Sequence, residues 1–255
     1  MNAQALGAFL ALAGVAAYVQ TVTGFAFGLV MMGFIALFGL LPLPDAAVVV
    51  GILSLVNTTQ MVLHGGWRHV ARHALRLVLL ASLPTLVVGY VVLEWLADSR
   101  ADALRIVLGA VIMASSLQLA ARRKVLDRPS PDASFIGFGI VSGLMSGLFS
   151  TGGPPLVYHF YRQPMPVARI RETLVAAFGL AQVVRLSLVA ATGNIPPPST
   201  LAGVAAVPVV MVMTYAARRW PPPLPDALLK IIVFVLLFLS GLSLALPAAM
   251  RLLAG

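Results

Sequence analysis

Ten runs of apolar residues, almost free of charged side chains, constrain the fold of this sequence more than any other feature. A run of about 18 or more such residues is typical of a membrane-spanning helix, because the hydrocarbon core of a bilayer is about 30 Å thick. The composition agrees, since 60% of the 255 residues are hydrophobic and only 10% are charged. We therefore predict an all-α polytopic membrane protein with about 8–10 transmembrane or re-entrant helices. The runs cover residues 4–22, 25–41, 45–64, 74–96, 103–121, 134–150, 153–162, 170–192, 201–217 and 227–249.

The basic residues lie between these runs, and they account for the net charge of +9. This placement favours cytoplasmic loops, by the positive-inside rule, over a nucleic-acid-binding surface. The same rule places residues 94–102 and 193–200 outside, and both termini outside if all ten segments cross. The start of the chain lacks the basic region of a cleavable signal peptide, so we expect the first apolar segment to be retained. The absence of cysteine excludes thiol and zinc–thiolate chemistry.

Two of the runs are interrupted by glycine, proline and hydroxyl residues, at Gly147–Val157 and at Thr21–Val30. A break at membrane depth is tolerated where it is buried in protein or lines a cavity, because lipid offers its amides no partner. One break in each half of a chain points to a transporter's binding site. Gly139, Gly143 and Gly147 also recur every four residues and predict a face for close helix packing. A packing seam and a binding loop both remain open for the second break.

The two halves of the sequence share short patterns. Pro42–Pro44 and Gln60 recur as Pro164–Pro166 and Gln182 at an offset of 122 residues. Because the charge rule puts the two proline loops on opposite sides, we predict two inverted-topology repeats. Residues 1–121 form the first membrane repeat, 122–133 a cytoplasmic linker and 134–255 the second membrane repeat. Further matches lie 124 residues apart, Pro84 with Pro208 and Asp102–Leu104 with Asp226–Leu228.

Few polar residues lie inside the apolar runs, and Arg185 is the most unusual of them. A cation within the membrane either faces the bundle interior, where it meets an anion, or extends to the interface. His69 and His73 have the helical spacing of a metal-ligand pair, but the arginines around them disfavour a metal site. The sequence has no carboxylate pair, nucleophile–base constellation or phosphate loop. We therefore predict no enzymatic activity, no catalytic residue, no metal site and no cofactor.

The breaks can supply an anion site, because short helices that start there would present free N–H groups and the positive end of the helix dipole. Two such ends that face one another would form a pocket near the membrane centre. Side chains from both halves would complete it. The predicted substrate-binding residues are Gly24, Phe25, Gly28, Gln60, Ser150, Thr151, Gly152, Gly153, Pro154, Gln182 and Arg185.

The motifs Ser146–Val157 and Gly24–Val30 resemble the two signatures of the TauE/SafE sulfite-exporter family. The sequence departs from the family pattern at Ser150–Thr151, where members often carry glycine and an aliphatic residue, and at Pro154, where a third glycine is common. The resemblance implies an integral protein of the bacterial inner membrane that exports sulfite or an organosulfonate by alternating access. An anion channel and a non-transporting membrane assembly protein remain alternatives. The expected partners are a small anionic substrate and the lipid bilayer, not nucleic acid; a coupling ion (proton or sodium) and a homodimer stay open.

Overall fold

The computed structural model describes residues 3–65, 69–99, 101–120, 125–220, 235, 238–239 and 241–251, and the regular structure within them is helical. Most of the apolar runs become helices with ends close to those predicted, the run at 201–217 is divided, and residues 241–251 are helical. The helices are α1 (Ala3–Thr23), α2 (Phe27–Phe38), α3 (Leu43–Gly65), α4 (Arg72–Ser99), α5 (Ala101–Ala120), α6 (Asp132–Phe149), α7 (Gly153–Tyr161), α8 (Val167–Thr192), α9 (Pro198–Leu201) and α10 (Val207–Arg219), with a 3-10 turn at Ala202–Ala206.

Five of the described helices, α1, α3, α4, α6 and α8, are long and apolar enough to cross a membrane. Their outward faces expose large apolar side chains such as Leu80, Val91 and Val183, which suit contact with lipid. Large side chains such as Phe9, Phe27 and Phe149 are fully buried between the helices. The predicted all-α polytopic class is confirmed.

Helices α4 and α6 run side by side in the same direction, with His73 at the start of α4 paired to Asp132 at the start of α6. The predicted glycine face of α6 lies against α4. A methyl group added at Gly139 would stand 3.1 Å from Val78 O, and one at Gly147 would stand 2.6 Å from Tyr90 N. The close-packing interpretation of this stripe is therefore confirmed.

Helices α6 and α7 form a hairpin that begins and ends at one face of the molecule. The Leu126 amide donates to Arg162 O at 2.8 Å, and the Ser130 amide donates to Gln163 Oε1 at 2.9 Å. The hairpin turns within the bundle, between Phe149 and Gly153. The nine residues of α7 are too few to cross a bilayer, as the short run at 153–162 predicts.

The order of elements is similar in the two halves. α1 ends at Thr23 and α6 at Phe149, 126 residues later, while α3 begins at Leu43 and α8 at Val167, 124 residues later. Both offsets, 126 between helix ends and 124 between helix starts, are slightly longer than the 122 of the proline loops. Part of the predicted linker (122–124) and part of the last apolar run (residues 227–234, 236–237 and 240) lie outside the described residues. The division into two inverted repeats stays a prediction.

Candidate functional site

Both predicted breaks are present, and in each the chain turns through left-handed backbone. Gly24 has φ 83° and Ala26 φ 92° in the first break, and Ser150 has φ 54° in the second. Positive φ is uncommon for residues other than glycine and costs about 1–3 kcal/mol. Two such non-glycine residues are therefore held in place by the structure around them.

The two breaks touch each other inside the bundle. A methyl group added at Gly28 would stand 2.6 Å from Ser150 O and 3.1 Å from Thr151 Cβ. One added at Gly153 would stand 3.5 Å from Phe25 Cβ. Since α2 begins at Phe27 and α7 at Gly153, two helix N-termini from the two halves of the chain meet at this point.

A cavity of about 30 Å³ lies between the two breaks, which is room for about two water molecules. Among the described residues, its lining contains no charged side chain. The lining comes from α1, the two breaks, the starts of α2 and α7, α3, α6 and α8. It comprises Gln20, Phe25, Ala26, Gly28, Leu29, Ser54, Ser146, Ser150, Thr151, Gly152, Gly153, Pro154, Phe178, Ala181 and Gln182.

Two side-chain polar atoms in this lining have no hydrogen-bond partner within the described part of the chain. They are the hydroxyl of Thr151 and the Oε1 atom of Gln182, on residues only 4% and 5% exposed. The backbone amides of Thr151 and Gly152 likewise find no acceptor among the described residues. A buried polar group left unpaired costs about 1–3 kcal/mol, so this cavity has groups for a polar ligand to satisfy.

The second break is braced by side chains of neighbouring helices. Ser142 Oγ donates to Gly152 O at 2.6 Å, and Ser150 Oγ donates to Ala47 O at 2.7 Å. Gln182 Nε2 donates to Ser150 O at 3.1 Å. These bonds occupy carbonyl oxygens, and the Ser150 amide donates to Ser146 O at 3.0 Å, so the unpaired amides of the break are those of Thr151 and Gly152.

The first break is held by a separate and fully paired network. The Phe27 amide, at the start of α2, donates to Gln20 Oε1 at 3.0 Å. Gln20 Nε2 donates to Asn57 Oδ1 at 2.7 Å, and Asn57 Nδ2 donates to Thr214 Oγ1 at 2.6 Å. The network links α1, α3 and α10, and it makes Gln20 the residue that fixes the N-terminus of α2.

Arg185 lies behind the cavity rather than in its lining. The side chain is 1% exposed and donates to Gly147 O at 3.2 Å and to Ala47 O at 3.1 Å. Its guanidinium carbon lies 5.9 Å from the Tyr90 ring centroid. Arg185 forms no ion pair with any carboxylate in the described ranges, and its Nη2 has no hydrogen-bond partner there. Burial contradicts the alternative in which this arginine extends to the membrane interface.

Most of the predicted site residues come together in the cavity lining: Phe25, Gly28, Ser150, Thr151, Gly152, Gly153, Pro154 and Gln182. The other three lie elsewhere. Gly24 faces Arg171, and a methyl group added at Gly24 would stand 3.6 Å from Arg171 Cγ. Gln60 Nε2 donates to Met211 O at 3.1 Å. Arg185 shares the acceptor Ala47 O with Ser150.

Several members of the lining were not predicted from the sequence, namely Gln20, Ala26, Leu29, Ser54, Ser146, Phe178 and Ala181. For two of these residues the sequence does contain an indication of a role at the site. Gln20 is an amide side chain four residues before Gly24, and Ser146 lies beside the glycine stripe of α6. Ser54, Phe178 and the others are ordinary members of apolar helices.

The paired histidines are separately partnered. His69 Nδ1 lies 3.0 Å from a Glu172 oxygen, and His73 Nε2 lies 3.0 Å from an Asp132 oxygen. Within the described residues, no group of three or more His, Cys, Asp or Glu side chains could hold a metal ion.

The chain resembles known proteins over nearly its whole length. The family model described as "Sulfite exporter TauE/SafE" matches residues 9–244, which include both breaks. A protein of Cupriavidus necator named "Probable sulfite/organosulfonate exporter TauE" is 39% identical over 238 residues, which are 93% of this chain and 93% of that protein. No solved structure matches the chain.

Proposed function

This chain belongs to the TauE/SafE sulfite exporter family, and from that premise we propose that it exports sulfite or a small organosulfonate as a secondary active transporter with alternating access. As a member of this family it is an integral membrane transport protein. The observation that carries the proposal is the set of unpaired N–H and O–H groups in the cavity where the two breaks meet.

The electrostatics of the cavity favour a small anion. Helices α2 and α7 both start there, and each contributes the partial positive charge of its N-terminus. The free amides come from Thr151 and Gly152, just before α7, since Pro154 and Pro155 have no N–H and the Phe27 amide is bonded to Gln20. The Thr151 hydroxyl is a further hydrogen-bond donor, besides the backbone amides. Arg185 adds a positive charge nearby that forms no ion pair within the described residues and is offset only in part by the more distant Glu94.

The size of the cavity favours a transporter that must move during each cycle. Its volume is only about 30 Å³ in this conformation, so we expect the two breaks to move apart when the anion enters or leaves. Each break belongs to one of the two predicted repeats. Rocking of one repeat against the other would open the cavity to one side at a time.

The test is the exchange of Thr151 for valine, which keeps the shape of the side chain and removes its hydroxyl. In proteoliposomes, we expect wild-type protein to give saturable sulfite flux, and Thr151→Val to raise KM about tenfold by loss of a hydrogen bond to a charged ligand. Thr85→Val is the matched control, because Thr85 Oγ1 bonds to the carbonyls of Ala81, Ser82 and Ile140 at the α4–α6 contact.

Three results would contradict parts of the proposal. Flux that rises linearly with sulfite concentration would indicate an anion channel. Absence of flux from folded protein would favour a non-transporting assembly protein. Equal effects of Thr151→Val and Thr85→Val would remove the Thr151 hydroxyl from the binding site. Imposed proton and sodium gradients in the same vesicles identify the coupling ion.

A further inference from the structure

The cavity offers a hydrogen-bond acceptor as well as donors. Gln182 Nε2 faces the carbonyl oxygen of Ser150 at 3.1 Å. Because a carbonyl can only accept a hydrogen bond, this contact fixes which end of the amide is nitrogen. Gln182 Oε1, the other end of the amide, lies beside Gly51 of α3 and has no partner among the described residues. A ligand in the cavity that donates a hydrogen bond to this oxygen would remove the cost of leaving it unpaired.

A fully deprotonated sulfur oxyanion cannot do this. The dianion of sulfite has acceptor oxygens only, so it would satisfy the Thr151 hydroxyl and the free amides but would place a lone pair against Gln182 Oε1. Its second charge would also be poorly compensated, since no charged side chain lines the cavity within the described residues and Arg185 behind it carries a single positive charge. A monoanion that carries its own O–H satisfies donors and acceptor together.

We infer that the site takes hydrogen sulfite, the singly charged and protonated form of the anion, with the O–H of the ligand donated to Gln182 Oε1. This inference rests on the proposed function and specifies the form of its substrate. Sulfite and hydrogen sulfite coexist near neutral pH, so the selection of one form makes binding dependent on pH without titration of the protein.

The titratable groups around the site must be separated from titration of the ligand. Arg185 on α8 and Tyr90 on α4 lie behind Gln182, Arg171 lies beside the first break, and His159 lies toward the far end of α7. Methanesulfonate provides the control, because it carries one charge at every relevant pH and has no O–H. Any pH dependence of its binding reports on the protein alone.

The first experiment measures equilibrium binding of sulfite and of methanesulfonate to the purified full-length protein in detergent. The pH range spans the ionisation that converts hydrogen sulfite to sulfite. We expect the apparent Kd for total sulfite to rise about tenfold for each pH unit above that ionisation, as the bound form becomes scarce. The Kd for methanesulfonate should stay nearly constant. Below the ionisation, hydrogen sulfite should bind about tenfold or more tightly than methanesulfonate, which leaves Gln182 Oε1 unpaired.

The second experiment removes the acceptor. Gln182→Leu should bring the ratio of the two affinities close to one, even where both affinities fall because the bond to Ser150 O is also lost. Ser187→Ala is the control on the same helix, since Ser187 is away from the cavity lining and bonds to Val183 O. It should keep the wild-type ratio.

The outcomes distinguish this inference from the function on which it rests. Sulfite affinity that is constant or increases with pH would overturn the inference and leave sulfite export standing. An affinity ratio that survives in Gln182→Leu would also overturn it. Binding that requires sodium at fixed pH would assign Gln182 Oε1 to a cation and overturn it as well. Failure of both anions to bind folded protein at any pH would instead overturn the proposed function.

Discussion

Two adjacent glycines in the second break have different surroundings, and this difference yields a test at single residues. A methyl group added at Gly152 would stand 2.7 Å from Ser142 O, so backbone would have to move. One added at Gly153 meets Phe25 and Phe178 at ordinary distances of 3.5 and 3.7 Å, at the edge of the cavity. We expect Gly153→Val to fold normally and to lower sulfite flux at least tenfold, because its methyl groups fill the cavity. We expect Gly152→Ala to reduce the yield of folded protein.

Size-exclusion profiles in detergent measure folding, and flux per folded molecule measures function. Gly153→Ala is the intermediate variant, whose single methyl makes only ordinary contacts. Normal flux in Gly153→Val would show that this edge of the cavity does not contact substrate. Normal yield of Gly152→Ala would show that the break is looser than its contacts indicate.

Arg185 gives a second prediction at this scale. Arg185→Gln should weaken anion binding, because it removes a buried positive charge beside the cavity. It should also lower the melting temperature, because Gly147 O loses its side-chain donor at a cost of about 1–3 kcal/mol, while Ala47 O keeps the hydrogen bond from the Ser150 hydroxyl. Arg185→Lys restores the charge but not the two-pronged geometry, so partial rescue of affinity with little rescue of stability is expected.

Thermal unfolding and sulfite titration of the same preparations separate these two effects. Wild-type affinity in both variants would remove Arg185 from the electrostatics of the site. An unchanged melting temperature would contradict its role as a brace between α3 and α6.

The residues of the break were predictable and their partners on other helices were not. Phe25, Gly28 and Ser150–Pro154 interrupt apolar runs, which is visible in sequence because polar backbone at membrane depth is rare. Gln60 and Arg185 are polar residues on uninterrupted helices, where the sequence does not fix which face meets the cavity. In the structure they bond to α10 and to the carbonyls of α3 and α6 instead.

At the scale of elements, the α4–α6 contact depends on the absence of side chains along one face of α6. At Gly143 an added methyl would collide with Thr85 Oγ1 and Ser82 O and would stand 2.7 Å from Ser82 Cα. We expect Gly143→Ala to destabilise the protein by about 1–3 kcal/mol, the usual cost of overpacking. Gly137→Ala is the matched control on the same helix, since nothing lies within 4 Å of the added methyl.

Melting temperatures of the two variants in one detergent check this prediction. A small gain is expected for Gly137→Ala, because alanine has the higher helix propensity. Equal stabilities would mean that the two helices separate readily enough to accommodate a methyl group.

Helix ends followed from the apolar runs, except where the run at 201–217 divides into α9, a 3-10 turn and α10. The two prolines matched across the halves explain part of this difference. Pro84 lies inside the continuous helix α4, whereas Pro208 lies at the first turn of α10, where the missing N–H costs no bond. Periodicity detects the apolar run, but the choice between a kinked helix and a new helix start depends on packing around it.

At the scale of the whole molecule, side-chain pairs show which helix ends lie together. The starts of α4, α6 and α8 are joined through His73–Asp132 and His69–Glu172. At the opposite end, Asn194 after α8 donates to Glu94 near the end of α4 at 3.0 Å. The first of these ends carries the basic residues and so fits the cytoplasmic side. The basic residues at this end include Arg72, Arg76, Arg128, Arg162, Arg169 and Arg171.

The start of α3 lies at the other end. Thr200 Oγ1 donates to Asp45 Oδ2 at 3.3 Å, which places the start of α3 beside the loop that follows α8. Farther along, Gly51 faces Gln182 while Thr58 faces Gly179, so α3 and α8 run in opposite directions. The proline loops before α3 and α8 are therefore at opposite ends of the bundle, which is the arrangement that two inverted repeats require.

We predict that single cysteines at Leu43 and Met165, in the middle of the two proline loops, are labelled from opposite sides of the membrane. The chain has no native cysteine, so each variant carries one reactive thiol. An impermeant maleimide added to intact cells should label Leu43→Cys, and Met165→Cys only after permeabilisation. Val125→Cys is the control for the α6–α7 hairpin. Because Leu126 bonds to Arg162, it should behave like Met165→Cys. Labelling of Leu43→Cys and Met165→Cys from the same side would exclude the inverted repeat. Labelling of Val125→Cys and Met165→Cys from different sides would exclude an α6–α7 hairpin that returns to the face from which it started.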